Sequence, residues 1–138
     1  MNANIELITA KSELALKHFG IKENQVLDLL GNELPELNSE LEKLPDPQNI
    51  YVSVKCFAEF TMSLIKSGKL LEVRGCFNLD ERLLMEGNKS VKNAIENVYV
   101  YSVSSLIDFS SPLSNKIKAI MNKGLITEYK RQIYTSGI

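Results

Sequence analysis

The chain has 138 residues, of which 44% are hydrophobic and 24% are charged, and its 16 basic and 17 acidic side chains give a formal net charge of −1. This composition excludes global disorder, and the small net charge argues against bulk nucleic-acid binding, which needs a surplus of Lys and Arg. The longest uncharged apolar-rich stretch, 97–107, has 11 residues, whereas a membrane span needs about 20, so we expect no membrane association. The start of the chain lacks the pattern of a secretory signal, which predicts a cytoplasmic protein.

Glycine and proline divide the chain at intervals of roughly 10 to 20 residues, which suits helices and their stops better than β-hairpins. Between these stops, apolar residues recur at three- and four-residue spacing, which predicts six to eight helices. The predicted helices cover 4–19, a short segment after Gly20 that ends near Gly31, 35–44, 50–66, 69–86, 89–108, 112–123 and 125–134.

Several residues mark where these helices begin or weaken. Asn24, Asn49 and Asn88 are predicted N-caps, because their side chains can accept hydrogen bonds from the first free backbone N–H groups. Pro35 and Pro112 suit the first turn of a helix. Within 69–86, Gly75 and Asn78 lower helix propensity and predict a kink or a break.

The segment 96–107 is ambiguous, because its sequence VYVYSV alternates and is rich in β-branched and aromatic residues, which favours a strand. We predict a helix, since the spacing of three and four continues from Val91 and no second convincing strand exists to pair with this one. The predicted inward face consists of Val91, Ala94, Ile95, Val98, Ser102, Ser105 and Leu106.

The predicted fold class is all-α. Helices of this length joined by short turns form antiparallel helical hairpins, which build either a HEAT-like stack or an orthogonal bundle. We predict a single domain over 1–138, with an N-terminal helical subregion at 1–44 and a main helical core at 50–134. The helices at 50–66 and 89–108 are expected to form its centre.

The sequence lacks the motifs that most catalytic and metal-binding sites contain. His18 is the only histidine, and Cys56 and Cys76 lie 20 residues apart without a zinc-binding pattern, so no metal site is predicted and both thiols are expected to be buried and reduced. The sequence contains no nucleotide-binding glycine loop and no nucleophile elbow. We therefore predict no catalytic residue and no cofactor.

Charge is unevenly distributed along the chain. Residues 1–49 hold nine acids and four bases, whereas 50–138 hold eight acids and twelve bases. Two charged clusters are candidate contacts for a protein partner, which an apolar centre with a charged rim would recognise. The acidic cluster is Glu33, Glu36, Glu40, Glu42 and Asp46, and the basic cluster is Lys116, Lys118, Lys123, Lys130 and Arg131.

Two other interpretations remain open at this point. One is a small-molecule-binding or catalytic helical bundle with a pocket near Cys56, Tyr99 and Tyr101. The other is a local contact of the basic cluster with RNA or DNA, which would weaken steeply with salt. The sequence leaves the oligomeric state open as well.

Three short apolar motifs carry a resemblance to a known family. They are Leu34-Pro35-Glu36-Leu37, Cys56-Phe57-Ala58-Glu59-Phe60 and Asn97-Val98-Tyr99-Val100. Over about residues 33–110 the chain resembles a family of small uncharacterised bacterial all-helical proteins. The resemblance implies a HEAT-like fold without an established activity. Because some small bacterial proteins of this general kind act as antidotes to secreted toxins, an immunity-type inhibitor is one form of the predicted binding module.

Overall fold

The computed structural model describes residues 20–46, 49–107 and 112–135, with side chains as far as Gln132. The all-α prediction is confirmed, since these residues form seven helices. The helices are α1 (Glu23–Glu33), α2 (Asn38–Glu42), α3 (Ile50–Lys66), α4 (Leu70–Glu86), α5 (89–107), α6 (Pro112–Ala119) and α7 (Lys123–Thr135). The helix predicted at 4–19 lies outside the described residues. None of the described helices combines the length and the apolar character that a bilayer crossing requires.

Local capping explains where the two central helices begin. The Asn49 side chain accepts a hydrogen bond from the Tyr51 N–H at 2.9 Å, and the Asn88 side chain accepts one from the Val91 N–H at 2.9 Å. Both predicted caps are therefore confirmed.

Helix α1 begins two residues earlier than a cap at Asn24 would allow. Lys22 occupies the cap position, and its backbone N–H donates to the Gln25 side chain at 2.8 Å. The prediction that Asn24 caps this helix is wrong, because a side-chain acceptor three residues after the cap also holds the first turn. The helix then continues through Gly31 to Glu33, and Pro35 begins a 3₁₀ turn, Pro35–Leu37, that leads into α2.

Helix α4 runs unbroken from Leu70 to Glu86, so the predicted kink at Gly75 is absent. Residues on both sides of the glycine, including Val73, Phe77 and Leu83, are buried in the core. Because tertiary packing supplies most of the stability of a protein helix, it outweighs the low propensity of one glycine.

Helices α3 and α5 pack most extensively against each other, and α3 also contacts α1 and α4. The buried face of α3 contains Val54, Phe57, Thr61 and Ile65, at the spacing that the sequence predicts. The buried apolar side chains of α1, α3, α4, α5, α6 and α7 belong to one cluster. Cys76 is buried within it, Cys56 is half-buried, and both thiols are free.

The residues before α1 pair with the turn between α4 and α5. The Ile21 N–H donates to the Glu86 carbonyl at 2.7 Å, and the Asn88 N–H donates to the Ile21 carbonyl at 2.8 Å. Gly20 has φ +80°, and a Cβ there would lie 2.9 Å from the Asn88 nitrogen. Only glycine fits this position without strain.

Helix α5 consists of Lys89–Ala94, a π-helical turn Ile95–Val100 and Tyr101–Ile107, which follow one another directly. Its most deeply buried stripe has a constant spacing of four residues and contains Val91, Ile95, Tyr99, Val103 and Ile107. In a regular α-helix, each step of four residues overshoots a full turn by about 40°, so such a stripe would drift away from the core. The π turn accommodates additional residues per turn and removes this drift.

The π turn also explains an error in the predicted inward face of α5. The prediction holds for Val91, Ala94 and Ile95, but beyond them Val98 and Ser102 are only half-buried and Ser105 is exposed. Tyr99, Val103 and Ile107 take their places. The constant spacing of four is the sequence signal that could have revealed this rotation.

Candidate functional site

A groove of about 300 Å³ lies between α3 and α4, close to the turn that joins them. Three segments build it: the end of α1 with the 3₁₀ turn, the second half of α3, and the first half of α4. Its lining residues are Leu34, Glu36, Phe60, Leu64, Lys69, Glu72 and Gly75. We call this feature the α3–α4 groove.

Gly75 leaves the backbone of α4 bare at the groove. A Cβ added at this position would meet no atom within 4 Å, so no packing contact among the described residues requires glycine here. Glycine within a helix costs about 0.5–1 kcal/mol relative to alanine. Glycine at this position of the groove therefore lowers the stability of α4.

The floor of the groove and its margin are apolar. Phe60 and Leu64, which lie one turn apart on α3, are half-buried and pack against the core. Leu71 precedes Gly75 by one turn on the same face of α4, and 80% of its surface is exposed. Leu71 does not line the groove itself, and it adds an exposed apolar side chain one turn of α4 away from Gly75.

Carboxylates outnumber ammonium groups at the groove. Glu36 and Glu72 line it together with Lys69. The charge of Glu36 reaches the interior as well: burial raises the pKa of the Cys76 thiol to about 11, and Glu36 adds to that increase.

Two further carboxylates lie near the α3 side of the groove. Glu59 lies on α3 one residue before Phe60, and burial raises the pKa of the Cys56 thiol, with the charges of Glu40 and Glu59 adding to the increase. Cys56 precedes Phe60 by one turn of α3. We use the term acidic margin for the four residues Glu36, Glu40, Glu59 and Glu72.

The structure separates the predicted acidic contacts. Glu33 pairs with Arg82 at 4.0 Å, and Glu40 with Lys43 at 4.0 Å, in both cases between exposed side chains. Glu42 instead lines a different surface pocket, beside α1. Of the predicted set, only Glu36 and Glu40 belong to the acidic margin, whereas Asp46 is exposed in the segment that follows α2.

The predicted basic contacts lie on α6 and α7. The exposed ones are Lys116, Lys118, Lys123 and Lys130. Arg131 differs from them, because its Nε donates to the Glu128 carboxylate at 2.9 Å and this contact raises the pKa of the guanidinium. Arg131 thus neutralises a nearly buried carboxylate of α7, which is a structural task.

A buried polar cluster links α3, α4 and α5 beneath the groove. The Thr61 hydroxyl donates to the Phe57 carbonyl at 3.0 Å, so the Tyr99 hydroxyl, 3.0 Å from the Thr61 oxygen, is the donor between the two side chains. The rings of Phe57 and Tyr99 stack with centroids 4.3 Å apart. Burial raises the pKa of Tyr99 well above its usual value.

Asp80 is the most unusual member of this region. It has 0% exposure, and within the part of the chain that the structure describes neither carboxylate oxygen has a hydrogen-bond partner. Burial raises its pKa well above the usual value, and the charges of Glu81 and Glu128 add to the increase. Its spacing of three residues from Phe77 and from Leu83 places Asp80 on the buried face of α4.

In the alternative pocket near Cys56, Tyr99 and Tyr101, the two tyrosines lie in different environments. Tyr99 is buried, whereas Tyr101 is 69% exposed, so only one of the two hydroxyls reaches solvent. Within the described ranges, no three His, Cys, Asp or Glu side chains lie close enough together to hold a metal ion.

Fold and site together define a small all-α protein whose surface carries an apolar groove with carboxylates around it. The model of the family described as "Domain of unknown function (DUF7674)" matches residues 27–135, and the chain belongs to this family. The match confirms the resemblance to an uncharacterised family, and it extends beyond 33–110 to include α6 and α7. No curated protein and no solved structure matches the chain.

Proposed function

We propose that this protein is a non-enzymatic protein-binding module that docks its partner in the α3–α4 groove. The observation that carries the proposal is the bare backbone at Gly75, which lies between an apolar floor and the exposed Leu71. Both features disfavour the isolated protein, since one weakens a helix and the other leaves a large apolar side chain in water. A partner that covers the groove would turn both into favourable contacts.

The acidic margin supports the same proposal. Charges at the edge of an apolar interface accelerate encounter and select partners of opposite charge, while the apolar centre supplies most of the affinity. Glu36 lines the groove from the 3₁₀ turn and Glu72 lines it from α4, so a basic partner surface would be attracted by carboxylates of two segments.

The narrower form of the proposal is a cytoplasmic inhibitor of a bacterial toxin. Enzymes that act on nucleic acids present basic surfaces to phosphate groups, and such a surface complements the acidic margin. Co-expression with the product of the neighbouring reading frame tests this form. Survival of cells with the wild-type chain but not with a Gly75→Phe variant is expected, and equal toxicity with both would contradict it.

Photo-cross-linking tests the general proposal. A benzoylphenylalanine placed at Leu71 in cells of the native host should yield one discrete adduct with another protein, which a second substitution, Gly75→Phe, removes. Met85 is the matched control, because it is 69% exposed on the same helix but lies about 20 Å further along it. Equal adducts from both positions, or none from position 71, would exclude the groove as a docking site.

A further inference from the structure

The absence of a side chain at Gly75 indicates which kind of partner segment fits the groove. Helices usually pack with their axes about 8–10 Å apart, and the distance depends on the side chains at the contact. Since a Cβ at Gly75 would meet nothing within 4 Å, a second backbone can approach α4 more closely here than at a position that carries a side chain. A partner residue that is itself small would make full use of this space.

The shape of the groove favours a helical segment over an extended one. Extended peptides bind most often by adding a strand to a sheet edge, and the residues described here form helices, with one isolated bridge at Ile21 and Gly87. On α3 the lining residues Phe60 and Leu64 lie one turn apart, and on α4 the exposed Leu71 lies one turn before the lining residue Gly75. Such spacing matches the anchors of an amphipathic helix, which recur at three and four residues.

The charged residues that line the groove indicate which charged residues the polar flanks of a partner helix would carry. Glu36 lines the groove from the 3₁₀ turn and Glu72 lines it from α4, and Lys69 is the only basic residue in the lining. A helix with Lys or Arg on both flanks would place positive charge beside each carboxylate, whereas an acidic helix would meet repulsion from both.

We infer that the occupant of the α3–α4 groove is an amphipathic α-helix of a partner protein, with a small residue over Gly75 and Lys or Arg residues toward Glu36 and Glu72. This inference rests on the proposed docking function and specifies its partner. The helix lies with its apolar face on Phe60 and Leu64, and Leu71 covers its exposed side.

Selection from a displayed library of random peptides, each long enough to span α4, tests the inference directly. Binders are selected on the wild-type chain and counter-selected on Gly75→Phe, in which the added Cβ meets no atom within 4 Å. We expect enrichment of helix-forming sequences with Ala, Gly or Ser at one position and Lys or Arg on both flanks. Enrichment of acidic or proline-rich extended sequences, or no enrichment beyond the counter-selected pool, would overturn the inference.

The enriched peptides then allow a quantitative test. The double variant Glu36→Gln with Glu72→Gln should weaken their binding by about threefold to tenfold and reduce its salt dependence. Glu42→Gln is the matched control, because Glu42 lines the separate pocket beside α1, and it should leave binding unchanged. Equal effects of the two changes would overturn the assigned role of Glu36 and Glu72.

The two levels of proposal fail separately. If position 71 yields a specific adduct but the cross-linked partner segment is acidic or extended, the inference about the helix is wrong while the docking function stands. If position 71 yields no adduct, the docking function itself fails, whatever the library returns.

Discussion

Asp80 places an acidic group where it has no exposed surface and where no donor from the described residues compensates it. An ionised carboxylate in such a place would cost several kcal/mol, so the group keeps its proton in the folded protein. The charges of Glu81 and Glu128 raise the pKa further and reinforce this preference. The residue therefore couples the stability of the fold to pH.

Replacement of Asp80 by Asn should remove a pH dependence of stability. The unfolded chain releases the Asp80 proton near pH 4, while the folded chain retains it up to the raised pKa. The contribution of Asp80 to stability is thus complete below pH 4 and declines as pH rises toward the folded pKa, by at most about 1.4 kcal/mol per pH unit. Urea unfolding between about pH 5 and pH 8 should show a gap between variant and wild type that widens with pH. Glu72→Gln, an exposed change on the same helix, should keep the wild-type slope, and parallel curves for Asp80→Asn and wild type would refute the coupling.

The hydrogen bond between Thr61 and Tyr99 joins α3 to the π turn of α5. A double-mutant cycle with Thr61→Val and Tyr99→Phe should give a coupling free energy of about 1 kcal/mol, because each change removes one partner of a buried bond. Tyr99→Phe keeps the ring that stacks on Phe57. Chemical denaturation of the four proteins measures the coupling, and strictly additive effects would show that the bond contributes nothing.

At the scale of single elements, two glycines of this chain serve opposite purposes. Gly20 adopts φ +80° against the Asn88 backbone, so its conformation is required by the bridge that it precedes. Gly75 is helical and faces open space. The fold requires glycine at position 20, whereas glycine at position 75 lowers the helix propensity of α4.

Alanine substitutions should therefore change stability in opposite directions at these two sites. Gly75→Ala should raise the free energy of unfolding by about 0.5–1 kcal/mol, since it adds helix propensity without a clash. Gly20→Ala should lower it by about 1–3 kcal/mol through backbone strain and a contact of 2.9 Å. Thermal unfolding of both variants measures the difference, and a destabilised Gly75→Ala would mean that the space at α4 is occupied in the free protein.

For the whole molecule, the helical elements follow from local rules that a sequence displays. Asn49 and Asn88 cap helices because their side chains suit that position, and the buried face of α3 follows from spacing alone. The groove could be predicted only in part. Glu36 was among the candidate contacts, but Phe60, Leu64 and Gly75 acquire meaning only when α3, α4 and the 3₁₀ turn come together.

Nonlocal effects explain the remaining differences from the predictions. The kink expected at Gly75 is absent because residues distant in sequence hold α4 straight. The burial of Asp80, a residue type that is normally exposed, depends on neighbours from α5 and α7. Similarly, the donor for Glu96 in the π turn comes from Gln132 of α7, whose side chain reaches the Glu96 carbonyl at 2.6 Å.

Charge separation across the molecule predicts how docking should respond to salt. Residues 20–46 contain seven acids and two bases, whereas 112–135 contain five bases and one acid. Because the Debye length shortens from about 30 Å at 0.01 M to about 3 Å at 1 M salt, the attraction of a basic partner to residues 20–46 should weaken sharply as salt is added. The yield of the adduct from position 71 should fall with salt when the illumination time is short, and an unchanged yield would indicate that apolar contact alone guides the encounter.

The π turn of α5 has the geometry of a regular helix into which one surplus residue has been inserted. Deletion of Asn97, which is exposed in this turn, should therefore let α5 wind as an uninterrupted α-helix with Tyr99, Val103 and Ile107 still inward. Deletion of Glu59, equally exposed but within regular α3, should instead rotate Thr61 and the residues after it by about 100° and abolish cooperative unfolding. Calorimetry of the two shortened chains would distinguish them, and equal loss of the transition would contradict this account. Relatives of different length should gain or lose residues in this turn more readily than elsewhere along the central helices.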